Sequence, residues 1–229
     1  MVHCTLVDDE SERPMTRAPR PYRLQRRREA MNETRDRIAR AAFELHATVG
    51  PAQATISAVA ERAGVERHTV YRHFPDIVSL IRACTAHGME VTGLPQPDRW
   101  ESIGDPLTRL SVGLDEMYAY YRANERMIGN ILRDLPVMPE LAAGSSRYQD
   151  HLGRVWGIVL APWMRLRGTR GSRTRALVST ALEFGTWQAL TTRGGLSDAE
   201  AVATMVASVK SALASSPKVE RRPPRSELR

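Results

Sequence analysis

Residues 50–74 read GPAQATISAVAERAGVERHTVYRHF, a stretch that can fold in few ways. Ile56, Val59, Ala60 and Ala63 recur at i, i+3, i+4 and i+7, the buried stripe of an amphipathic helix. Thr55 precedes the stripe as an N-cap, and Gly64 follows it, where left-handed backbone favours glycine. A second short helix comes next, with Val70 and Phe74 four residues apart and facing inward. Arg67, His68, Thr69, Tyr71, Arg72 and His73 occupy the rest of its surface. Two short helices joined by a tight glycine turn form a helix-turn-helix, whose second helix can enter a DNA major groove. Arg, His, Thr and Tyr on that helix suit phosphates and base edges. The plainer alternative is a solvated polar face on an ordinary helix.

The flanking residues extend the pattern. Upstream, Ile38, Ala42, Leu45 and Val49 form another helical stripe that ends at Gly50. Downstream, Pro75 stops the short helix, and Ile77, Leu80, Ile81 and Cys84 open a further one. With Ile38, Ala41, Ala42, Leu45, Gly50, Thr55, Val59, Ala60, Ala63, Gly64, Val65, Thr69, Tyr71, Phe74 and Leu80 in register, the segment resembles the TetR family of transcriptional regulators. The resemblance implies an all-α chain. A three-helix DNA-binding domain would be joined by a connecting helix to a helical bundle that binds an effector and dimerises. It also implies that Thr69 and Tyr71 meet phosphates. Four positions depart from the family pattern. His46 stands where a Phe commonly packs, so either Phe43 compensates or His46 is hydrogen-bonded and half-buried. Glu66 replaces a capping Ser, His68 a Gly, and Ile77 a phosphate-binding Lys.

The net charge of +7 is unevenly placed. Residues 31–90 balance seven Arg against seven acidic groups, so the excess lies outside the reading domain. Residues 1–30 hold Arg13, Arg17, Arg20, Arg23, Arg26, Arg27 and Arg28 among Pro14, Pro19 and Pro21, and read as a flexible arm able to follow phosphates. Residues 217–229 read as a disordered basic tail. Cys4 and Cys84 stand in unrelated contexts, without metal-ligand spacing. No apolar run suggests a membrane span or secretory leader, so a cytoplasmic protein is expected. Glycine-rich phosphate loops, Gly-x-Ser-x-Gly, His-Glu-x-x-His and paired cysteines are all missing from the sequence, and a non-enzymatic protein without cofactor or metal is expected. His151 beside Asp150 reads as structural.

Residues 91–216 carry about five further helical stretches, for about nine helices in all, and no strand alternation. One long helix bears Leu107, Leu110, Leu114, Met117, Tyr118 and Tyr121; another bears Tyr148, Leu152, Val155, Trp156 and Val159. Residues 173–192 and 198–214 read as the last two helices, the second opened by a Ser197–Glu200 capping box. Met117, Tyr118, Tyr121, Met127, Trp156, Trp163 and Trp187 are candidates for an effector pocket, and equally for a helical core. Asp115 and Glu116 would suit a cationic ligand, and Arg165–Arg175 an anionic one or a solvated loop. Leu177, Ala181, Phe184, Val202, Met205, Val206 and Val209 are candidates for a homodimer interface, with an internal core as the alternative. The partners expected are a palindromic DNA operator, a small-molecule effector and a second copy of the chain.

Overall fold

The computed structural model describes residues 20–214, and among these every regular element is helical. The ten α-helices are α1 (Arg20–Thr48), α2 (Ile56–Ala63), α3 (Arg67–His73), α4 (Ile77–Val91), α5 (Pro106–Asp134), α6 (Glu140–Gly144), α7 (Ser146–Leu160), α8 (Gly168–Ala181), α9 (Phe184–Gln188) and α10 (Asp198–Ala214). A π-helical segment, Ala189–Arg193, extends α9. The all-α architecture is the expected one, with one helix more than the nine anticipated.

The flexible arm expected over residues 1–30 is corrected for residues 20–30, which are helical. Pro21 lies in the first turn, where its missing N–H costs nothing, and Leu24 to Ala30 are good helix formers. Gln25 donates to Glu29 one turn on, at 3.0 Å. Residues 1–19, with Cys4, Arg13 and Arg17, and the tail 217–229 lie outside the described residues.

Two cores result. Ile38, Ala42, Leu45, Val59, Val70, Phe74 and Leu80 bury one another among α1–α4. Leu110, Leu114, Met117, Tyr118, Val155, Val178, Trp187 and Val209 centre the second, among α5 and α7–α10. α10 packs against α8 and α5, and its predicted capping box is present: Glu200 accepts from the Ser197 N–H at 2.8 Å.

The single helix predicted over 173–192 is interrupted after Ala181. Tyr118 and Tyr121 of α5 donate to the carbonyls of Ala181 and Leu182 at 2.8 and 2.6 Å. Glu183 is extended at the break, and its backbone starts α9. Side chains some sixty positions away thus satisfy carbonyls there. α5 itself kinks at Asn124 (φ −121°, ψ 16°), whose amide donates to the carbonyls of Tyr120 and Thr92.

Beyond that kink, α5 holds the end of α1. Asn130 donates to the carbonyls of His46 and Ala47, Arg126 to Thr48 and Arg133 to Val49. Asp134, braced by Arg133 at 2.7 Å, accepts the Ala52 N–H at 3.0 Å. Gly50, at φ +98°, makes the turn against this cluster. A Cβ there would collide with the Arg133 guanidinium and the Asp134 carboxylate. Gly50→Ala should therefore destabilise by about 1–3 kcal/mol and lower the thermal midpoint by roughly 2–12 °C, read by calorimetry.

Candidate nucleic-acid interface and effector cavity

The helix-turn-helix is built by local chemistry. The Thr55 Oγ accepts the Ala58 N–H at 3.1 Å, and its hydroxyl proton remains free to donate outward. Gly64 is left-handed (φ 63°, ψ 41°); its N–H bonds Glu61 and that of Val65 bonds Ala60, a Schellman motif closing α2. Val70 and Phe74 are buried, which leaves the opposite face of α3 to solvent. Arg67, His68, Tyr71 and Arg72 are exposed there; Thr69 and His73 are half-buried.

Several of these groups are already oriented. Arg67 donates to the Tyr71 hydroxyl at 3.3 Å and lies over its ring. Arg35 of α1 donates to the His73 carbonyl at 2.7 Å and stacks on Phe74, tying α3 to α1. Burial first, and then Arg72 and Arg35, hold His73 below the usual histidine range. Two departures from the family pattern meet each other: the Glu66 carboxylate caps no N–H of α3 and lies 3.1 Å from the His68 ring. The family's phosphate-binding position is filled by half-buried Ile77, packed on the first core, while Asp76 caps α4 by accepting the Ser79 N–H at 2.7 Å. Removing the Arg67 side chain in Arg67→Ala should cost about 1–3 kcal/mol on a cognate site and relax preference at one base pair. Tyr71→Phe should weaken cognate and scrambled DNA alike. Binding isotherms on both DNAs over a salt series separate the two.

A further departure from the family pattern lies inside the fold. His46 is buried and bonded to the Cys84 thiol, Sγ to Nδ1, at 3.3 Å. Burial, opposed by Asp134, pushes His46 down to about 4, and burial pushes Cys84 up to about 12. Both are neutral near pH 7. His46 is therefore the hydrogen-bonded histidine of the two alternatives, although Phe43 also packs beside it, edge-on to His87.

This pair lies on the wall of a cavity of about 230 Å³. Phe43 and His46 of α1 and Ile81, Cys84, Thr85 and Gly88 of α4 form one side. Tyr120, Tyr121, Met127, Ile128 and Ile131 of α5, Leu141 of α6, Tyr148, Leu152 and Trp156 of α7, and Glu183 and Phe184 at the helix break form the other. Of the predicted pocket residues, Tyr121, Met127 and Trp156 line it. Met117, Tyr118 and Trp187 do not: they are 0% exposed and fill the second core, as does Trp163. The contribution of the reading domain was missed, because helical spacing identifies a buried face and not what it faces.

The candidate interface residues need a similar correction. Ala181, Val202, Met205 and Val209 are buried within the chain's own core, because α10 packs between α8 and α5. Phe184 lines the cavity, edge-on to Tyr121. Leu177 and Val206 remain half-buried. Neither Asp115 nor Glu116 lines the cavity, and Glu116 pairs with Arg99 at 2.5 Å. The arginine cluster is partly helical, since α8 starts at Gly168; Arg175 donates to the Leu166 carbonyl. His151 donates to the Pro95 carbonyl at 2.8 Å, a structural bond. No helix among the described residues is long and apolar enough to cross a membrane.

The exposed polar helix on a Schellman-closed turn has the geometry of a helix-turn-helix unit. Residues 38–84, from mid-α1 to mid-α4, match the family model described as bacterial regulatory proteins, tetR family. Over those residues the chain carries a tetR-type helix-turn-helix domain. Among solved structures, the chain is similar to the crystal structure of a TetR transcriptional regulator from Rhodococcus sp. RHA1. That structure is 20% identical and aligns over 77% of this chain and 94% of its own, with a TM-score of 0.38, too distant to carry an argument. No curated protein matches the sequence.

Protonation of His46 has a defined cost. The unfolded chain takes up this proton near pH 6.5 and the folded chain only near 4. The stability from a neutral His46 is thus complete above pH 6.5 and is lost as pH falls toward 4, roughly 3 kcal/mol in all. His46→Phe should flatten that part of the stability–pH curve, measured by denaturant unfolding at pH 7.5 and 4.5.

Proposed function

We propose that the chain is a homodimeric repressor that a small-molecule effector releases from a palindromic operator. The observation that carries this reading is the shared cavity wall. Phe43, His46, Ile81, Cys84 and Thr85 belong to the DNA-reading half, so whatever fills the cavity touches the helices that aim α3. An effector that binds better to the geometry disfavoured on DNA lowers operator affinity by mass action. A coupling of about 1–3 kcal/mol would change affinity some 5- to 150-fold.

Dimerisation follows from the reading of two half-sites, whose reading helices must lie roughly 34–36 Å apart. With the apolar face of α10 committed to the chain's own core, the surface offered to a second copy is the outer side of α8 and α10. Ala176, Thr180, Ala199, Ala203 and Ala207 are exposed there, beside half-buried Leu177 and Val206. Small side chains allow two helix pairs to approach closely. Exposed Arg23, Arg26, Arg27 and Arg28 on the first turns of α1 supply the positive charge that the balanced reading domain lacks.

Selection of bound sequences from a random DNA pool at about 150 mM salt tests the reading. A palindrome with dimer spacing is expected. Recovery of no consensus, with binding that vanishes as salt rises, would favour a DNA-organising protein instead.

A further inference from the structure

We infer that the cavity between the reading domain and the bundle takes an uncharged, largely apolar ring compound with one hydrogen-bond acceptor, and rejects ions of either sign. The inference rests on the effector reading above and names the ligand class for that site.

The wall is mainly apolar, with Ile81, Met127, Ile128, Ile131, Leu141 and Leu152 as its aliphatic part. The rings of Phe43, Tyr121, Trp156 and Phe184 also face the space, and their edges and faces favour a ring as guest. Neither Arg nor Lys lines it, so an anion would find no counter-charge. Its one carboxylate, Glu183, is exposed to solvent at the helix break. His46 and Cys84 are neutral and bonded to each other. Tyr120 donates to Tyr148 at 3.4 Å, and burial raises both hydroxyls, keeping them protonated. An ion moved into such a space loses its hydration without a partner.

Among the fully buried polar groups of the wall, one indole N–H has no partner. The indole N–H groups of Trp100, Trp156 and Trp163 are buried without a hydrogen-bond partner, and of these three residues Trp156 alone lines the cavity. A buried N–H without a partner favours a guest that brings an acceptor to it.

The test is calorimetric titration of the full chain at pH 7.5 with four probes of one shape: 2-acetylnaphthalene, 2-ethylnaphthalene, 2-naphthoate and 2-naphthylmethylammonium. The ketone should bind at least about tenfold more tightly than either ion. Trp156→Phe should weaken the ketone about two- to tenfold and leave 2-ethylnaphthalene unchanged. Equal or tighter binding of either ion, absence of saturable ketone binding, or an equal loss for both neutral probes in Trp156→Phe would overturn the inference. The wild-type charge series stands on its own if the variant fails to fold. Selective ketone binding that leaves DNA affinity unchanged would uphold the ligand class and sink the release mechanism. Release of DNA by naphthoate would do the reverse.

Discussion

A helix that ends inside a protein leaves its last four carbonyls without partners, and α1 resolves this with another domain's side chains. The carbonyls of His46, Ala47, Thr48 and Val49 accept from Asn130, Arg126 and Arg133, all on the last part of α5. Asp134 completes the cluster by taking the Ala52 N–H from the turn that leads to α2. Because these are bonds to backbone, they fix where α1 stops and therefore where the helix-turn-helix begins. The Arg133 side-chain bond holds the Asp134 carboxyl below its ordinary range, so the cluster stays charged near neutral pH.

The cavity inherits its shape from the same junction. The kink at Asn124 separates the part of α5 that packs in the bundle from the part that caps α1. Tyr120 and Tyr121 lie just before the kink and Met127 and Ile128 just after it, and all four line the space. The opposite wall is α1 and α4, so the cavity spans the seam between reading and sensing. His46 occupies both settings at once, with its carbonyl in the cap and its ring on the cavity wall.

Legibility from sequence followed the range of the interactions. Thr55, Gly64, Val70, Phe74 and the Ser197–Glu200 box could be read because each acts within a few residues of itself. The break after Ala181 could not, since it depends on tyrosine hydroxyls on another helix. The apolar stripes of α8 and α10 were recognised as buried and assigned first to a second chain, whereas the fold spends them on each other and on α5, which α10 covers. Periodicity likewise marked Met117, Tyr118 and Trp187 as inward-facing without saying whether a void or a neighbour lay inside. Pro21 pointed to a disordered arm, yet a proline in a first turn is compatible with the helix that forms.

The capping of α1 also redraws the unit that could be moved between proteins. By sequence, the reading domain closes near residue 90, and a chimera would be cut in the turns between α4 and α5. Such a graft would carry α1 away without Arg126, Asn130, Arg133 and Asp134, and expose four carbonyls and the Gly50 turn to whatever the new bundle presented. A single inserted residue between Asn124 and Arg126 would have a related effect, since it turns the capping face by about 100° around α5. Length is therefore rigidly set in that part of α5.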